Sequence, residues 1–229
     1  MATITLGQVK TRALQMTDYI NSDFASDAEL LQWANDGYLQ FYDLIANTLE
    51  DFNLADPVTT TIASGNTDID LSSAVTRFYL LKGLDFNYTG NKYHKVLSFN
   101  FSERNSYDNN FAETDPYYNK RRRYKLYGSK ITIVPAETAP GTYKIWYVPE
   151  PVLLSDDSDT FENYNGWGDY VVQYVAKRIK IKSEEDFSPF EREMGFLANR
   201  IGEIAKNRDT NKIHSVTDVY KIGSMDDYY

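Results

Sequence analysis

The chain has 229 residues, is 42% hydrophobic and 25% charged, and sets 24 Lys+Arg against 33 Asp+Glu for a formal net charge of −9. That length supports one domain, or one domain with a large insertion, with a core that needs no cross-links. The absence of cysteine excludes disulfides, thiolate nucleophiles and zinc–thiolate sites, and the acidic balance argues against non-specific nucleic-acid binding by the whole surface.

The opening MATITLGQVK has no basic region followed by an apolar run, so no signal peptide is expected. No stretch approaches the roughly 18 consecutive apolar residues of a membrane span, and a soluble protein made in the cytoplasm is expected. Leu6, Val9, Ala13, Leu14 and Ile20 outline a first amphipathic helix. In SDAELLQWANDGYLQFYDLIANTLE, Ser26 and Glu29 form a capping box, and Leu30, Ala34, Tyr38, Phe41, Ile45 and Leu49 recur at three- and four-residue steps. Gly37 lies inside this helix at a cost of about 1 kcal/mol relative to alanine, which points to a close approach of another helix.

The period changes near residue 57. VTTTIA, TDIDL and FYLLKGLDFNY are β-branched or aromatic runs broken by SGN and TGNK turns. Residues 98–119 are polar, aromatic and without period, a long loop with room for one helical turn. YKLYGSKITIV turns at Gly128-Ser129, and YKIWYV follows PAETAPGT. Together these predict a two- or three-stranded antiparallel meander ending at Pro149 and Pro151. SDDSDTFENYNGWGD reads as an acidic linker. Tyr170/Val171, Tyr174/Val175 and Arg178/Ile179 then mark one face of a helix. Ser188, Pro189 and Glu191 predict a second capping box, followed by the stripe Phe190, Met194, Leu197, Ile201 and Ile204.

The expected organisation is α+β. Residues 1–56 and 153–208 supply helices that pack together as a bundle, 57–152 form an inserted antiparallel β region with the long loop 98–119, and 209–229 form an extended tail. The 19 tyrosines suit either half-buried faces and subunit interfaces or an aromatic β core.

No reactive constellation stands out. The two histidines are His94, in a strand, and His214, in the tail. Gly166-Trp167-Gly168 lacks the third glycine and the lysine of phosphate loops and follows an acidic segment, so it reads as a glycine-containing helix start. Asp156, Asp157, Asp159 and Glu162 fail the EF-hand pattern: counted from Asp157, the sixth residue is Glu162 and the twelfth is Gly168. They read as a solvated turn. Asp68 and Asp70 alternate along a strand and face solvent. Lys177, Arg178, Lys180 and Lys182, followed by Glu184, Glu185 and Asp186, complement helix dipoles. No catalysis, cofactor or metal is expected. A ligand- or carbohydrate-binding module built on the aromatic β insertion is the alternative, and a hydrolase using Asp/Glu pairs is a third.

The densest feature is basic: Lys120, Arg121, Arg122, Arg123 and Lys125, flanked by Tyr117, Tyr118, Tyr124 and Tyr127. Stacking aromatics beside cations suit a nucleic-acid patch. In a strand, however, Arg121 and Arg123 face opposite to Arg122, so only two or three charges share a surface. Phosphate binding by so few contacts is weak in a monomer and substantial in a ring.

The order of these features resembles the head-to-tail adaptor (connector, or neck ring) proteins of tailed bacteriophages. SDAELLQWANDGYLQFYDLI is similar to their capped W-I/A-N-x-x-Y helix. YKLYGSKITIVPAETAPGTYKIWYVPEPVLLSDDSD resembles their double strand and acidic linker, and GWGDYVVQYVAKRIKIKSEED with the helix closing on NRD resembles their helical return. Segment 98–119 departs from a minimal adaptor. The resemblance implies a non-catalytic ring of about twelve copies between the portal and the next neck or tail protein. It also implies a channel for passing double-stranded DNA, a place in the neck of the virion, and no membrane contact. It further implies a tail that docks on the portal, here carrying Ile213, His214, Val216, Val219, Tyr220, Ile222, Tyr228 and Tyr229. On that reading the basic cluster is a subunit or partner contact, with a neighbour's SDDSD as one candidate, or a DNA-facing ring of arginines.

Overall fold

Two capping boxes set the directions of the first two helices. The Thr5 hydroxyl accepts the Gln8 amide while the Gln8 side chain returns to the Thr5 amide, starting α1 (Leu6–Thr17). Ser26 and Glu29 do the same for α2 (Asp27–Thr48), as their spacing predicts. The structure is a computed structural model that describes residues 2–20, 23–49, 53–90, 92–103, 122–136 and 140–207. The expected tail 209–229 and most of the loop 98–119 lie outside the described residues.

The remaining described elements are β1 (Thr3–Thr5), β2 (Val58–Ile62), β3 (Asp68–Asp70), α3 (Leu71–Ala74), β4 (Phe78–Thr89), β5 (Lys92–Ser98), β6 (Arg123–Tyr127), β7 (Lys130–Val134), β8 (Gly141–Pro149), β9 (Thr160–Glu162), α4 (Asp169–Lys182) and α5 (Ser188–Asn207). The architecture is mixed α/β. Helices from both ends of the chain share one core in which Leu6, Val9, Ala34, Phe41, Val171, Val175, Ile179 and Ile201 are buried. A second core, including Leu84, Ile131, Ile133, Tyr143 and Ile145, fills the sheet. Tyr42, Ala46 and Val148, backed by Tyr79 and Leu80, join the two. Gly37 marks the close approach expected of it: a Cβ there would lie 2.9 Å from Cδ1 of Tyr174 on α4.

The seven-stranded sheet runs β2-β8-β4-β5-β6-β7-β3, and its edge strands β2 and β3 approach one another, so it is nearly closed. Two expectations change here. The β6–β7 hairpin forms around Gly128, whose φ is 54°, but β8 does not extend it into a meander. β8 instead pairs with β2 and β4, where its alternating Gly141, Tyr143, Ile145 and Tyr147 are buried. The insertion is also not wholly antiparallel, because β5 and β6 run parallel through Leu97–Arg123 and Ser98–Tyr124. A hairpin cannot join a parallel pair, and the long connection from Ser98 to Arg123 supplies the crossover that such a pair requires. The last residue of TDIDL, Leu71, starts α3 instead of continuing the strand, because Asp70 caps that turn through the Ser72 amide.

The acidic linker contains structure. Thr160–Glu162 forms β9 and pairs antiparallel with β1, tying the two ends of the helical unit together. Three further details differ from expectation. Ile20 lies beyond the left-handed Asp18 that ends α1 and is 47% exposed. Asp186, not Ser188 with Glu191, caps the start of α5: its carboxylate accepts the Ser188 amide and hydroxyl. Glu191 is drawn instead to Lys177 on α4, 2.7 Å away.

Candidate functional site

The basic cluster divides as strand alternation requires. Arg122, just before β6, is buried, and its guanidinium carbon lies 3.8 Å from the centre of the Phe86 ring on β4. Arg123 opens β6 opposite Leu97 and Val134, and Lys125 lies opposite Thr132; both are half-buried. Lys120 and Arg121 lie outside the described residues, as do Ile213, His214, Val216, Val219, Tyr220, Ile222, Tyr228 and Tyr229. The sequence therefore counts five cations together, whereas the fold turns Arg122 inward.

The SDDSD segment is an organised turn. The Asp159 carboxylate accepts the amides of Ser155 and Asp156 and the Ser155 hydroxyl, and these bonds hold its pKa below the usual aspartate value. The Asp157 carbonyl accepts the Gly7 amide, and its carboxylate lies 2.8 Å from Lys10 Nζ. Lys10 is itself buried on the apolar face of α1 and also reaches Asp27 at 2.7 Å. Burial pulls the Lys10 pKa down, but the hydrogen bonds and charges of Asp157 and Asp27 outweigh it, and the net shift is upward. This triad joins α1, α2 and the turn before β9. Its sequence signal is a lysine one turn after Leu6 and three residues before Ala13, on the stripe that otherwise carries apolar residues.

The cations of α4 serve the fold in a similar way. Lys182 Nζ donates to both oxygens of Glu29 at 2.8 and 2.9 Å and to the Phe24 carbonyl, and Lys180 pairs with Glu185. The Lys182 bonds, then those from the Ser26 amide and hydroxyl, lower the Glu29 pKa to about 2.

A cavity of about 250 Å³ opens between α2 and β9, lined by Tyr38, Phe41, Tyr42 and Phe161 with Asn53 and Glu162. Burial first, then the neighbouring Tyr38 and Tyr79, raise the Tyr42 pKa to about 12. The Tyr42 hydroxyl donates to the Pro149 carbonyl. The cavity belongs to the helical unit. Of the described aromatics of the β insertion, Tyr143, Tyr147 and Phe86 are buried and Lys144 covers the Tyr93 ring at 4.1 Å, while Phe101 and Tyr127 are exposed. Asp68 and Asp70 are exposed as expected, and His94 stands on β5 opposite Phe86. Gly168 is held by the Asn163 side chain, whose Oδ1 would lie 2.9 Å from an added Cβ, so this glycine serves close packing at the start of α4. Among the described residues no group of three or more His, Asp or Glu side chains is arranged to hold a metal, and no helix is long and apolar enough to cross a membrane.

The family model described as SU10 adaptor protein matches residues 4–217. The chain belongs to this family of phage head-to-tail adaptors, and it is a structural adaptor protein of the virion that associates with other phage head and tail proteins. No curated protein matches it in a sequence comparison.

Proposed function

We propose that the protein forms a ring between the portal and the next neck or tail component, enclosing the channel through which double-stranded DNA passes, and that it carries out no catalysis. The family match across residues 4–217 carries this reading. The net charge of −9 is consistent with it, because a channel that bound DNA tightly would hinder passage. About twelve copies match the portal symmetry that the family resemblance implies. Residues 209–229 dock on the portal, with the neck as the site of action and the host cytoplasm as the site of assembly.

Within that ring the candidate cations for a subunit or partner contact are Lys120, Arg121, Arg123 and Lys125, with Arg122 turned onto Phe86. A neighbour's SDDSD is a weaker partner than its charge suggests, since Asp157 and Asp159 are already bonded within their own chain. The deciding experiment is electron microscopy of the full chain mixed with its portal. Rings coaxial with the portal are expected; a chain that binds the portal as scattered monomers sinks the proposal. Charge reversal at Arg121 and Arg123 then separates the two roles of the cluster. Lost assembly with an unchanged melt supports a protein contact, and normal assembly with altered DNA retention supports a DNA contact.

A further inference from the structure

Two exposed surfaces of the helical unit complement one another. The first lies on α2. Asn35 clasps the backbone of Leu154 through both its amide group and its carbonyl, at 2.9 and 2.8 Å, and Tyr42 holds Pro149. Residues 149–154 therefore run back along α2 from Tyr42 toward Asn35. Seven helical residues span about 10 Å, whereas five extended steps reach about 17 Å, so the middle of this segment bows outward. Val152 and Leu153 are accordingly 64% and 54% exposed, beside Leu39 at 39%. Leu39, Asp36 and Asp43 lie on the side of α2 opposite Gly37, which packs on α4. Asp36, Asp43 and Glu150 make the rim acidic, with Asp43 also accepting the Tyr79 hydroxyl and Arg77 beside Glu150, whose amide donates to the Arg77 carbonyl.

The second surface lies on α5. Met194, Leu197 and Ile201 are buried, Ile201 within the shared core, and Phe196 is turned outward; it is 73% exposed, the most exposed large apolar side chain among the described residues. Arg192 and Arg200 stand one turn before and one turn after it. Neither has an ion pair among the described residues. An aromatic knob flanked by arginines is the composition favoured at interface centres.

We propose that Phe196 of one copy seats against Leu39, Val152 and Leu153 of the next, with Arg192 and Arg200 meeting the rim of Asp36, Asp43 and Glu150. The inference rests on the ring reading and names the faces that would make the ring. One surface is an apolar ridge with an acidic rim and the other an aromatic knob flanked by arginines, so their pairing is heterologous. Joining them repeats head to tail, which closes into a ring when the rotation allows.

The chain has no cysteine, so an introduced pair reports this contact alone. The full chain carrying Leu39→Cys and Phe196→Cys together, assembled with the portal and oxidised, is expected to give a ladder of disulfide-linked multimers on a non-reducing gel. Each single variant is expected to stay monomeric there. Phe196→Glu is expected to raise the concentration for half-assembly at least tenfold with an unchanged thermal melt. Rings that form normally but yield no ladder overturn the inference and leave the ring reading standing. Efficient dimers from Phe196→Cys alone indicate a two-fold contact and also overturn it. A wild-type chain that forms no ring with its portal removes the ring reading and this interface with it.

Discussion

Lys10 and Glu29 lock the helical unit in different ways, and the difference can be measured. Lys10 is buried while its partners Asp27 and Asp157 stay largely in water. Removing both carboxylates strands a buried cation, whereas removing the lysine leaves two acids that solvent accommodates. The Asp27→Asn/Asp157→Asn double variant is therefore expected to lose about 3 kcal/mol, and Lys10→Met clearly less, in urea titrations at pH 7. An equal or reversed order contradicts a role for Lys10 as the buried member. Glu29 acts through pH. Its folded pKa is about 2, below the ordinary carboxylate value, so its stabilisation is present above about pH 4.5 and is lost as pH falls toward 2. Glu29→Gln keeps the capping geometry but not the charge opposite Lys182. The variant is expected to be less stable than the wild type at pH 7, and the two urea midpoints should converge near pH 2. A gap that persists there assigns the effect to packing.

At the scale of elements, two glycines on different helices make opposite predictions. An added Cβ at Gly37 would meet the Tyr174 ring at 2.9–3.1 Å, while one at Gly195 meets nothing within 4 Å. Gly37→Ala gains about 1 kcal/mol of helix propensity but overpacks the α2–α4 contact, a cost of 1–3 kcal/mol, so a net loss is expected. Gly195→Ala keeps the gain and is expected to raise the urea midpoint. Tyr174→Ala in the Gly37→Ala background should recover part of the loss, and additivity in that cycle contradicts the contact. The sequence made Gly37 legible because a costly residue interrupts a continuous apolar stripe. The helices were legible for the same reason: Leu30, Ala34, Phe41 and Ile45 repeat over many turns and follow a capping box. β1 and β9 were not, since three residues carry no period and their pairing links opposite ends of the chain. Nor was the place of β8, because the alternation of Tyr143, Ile145 and Tyr147 defines a buried face but not which strands flank it. Of the candidate site, the charges of the basic cluster were legible and the inward turn of Arg122 only half so. Alternation separates it from Arg123, but the Phe86 ring that receives it comes from β4, far away in sequence. The Val152–Leu153 ridge was invisible, because it depends on where Tyr42 and Asn35 hold the chain.

For the whole molecule, two cores joined through Tyr42, Ala46 and Val148 form the body of the described residues, which end at Asn207. The family match nonetheless runs on to residue 217, so part of the C-terminal segment belongs to what adaptors of this family share. That segment is proposed to dock on the portal, and a family pattern that reaches into it is consistent with binding. Its aliphatic and aromatic residues, Ile213, Val216, Val219, Tyr220 and Ile222, are of the kind that gain stability when buried against a partner. Deleting 209–229 is therefore expected to leave the circular-dichroism melt within about 1 °C to 2 °C of the full chain, since surface-independent residues change stability by only about 0.5 kcal/mol or less. The same deletion should abolish co-sedimentation with the portal. Substituting Val219, Tyr220 and Ile222 by serine should reproduce that loss without shortening the chain. A melt that collapses on truncation would instead make the segment part of the core, and portal binding that survives it would move the docking surface to the folded body.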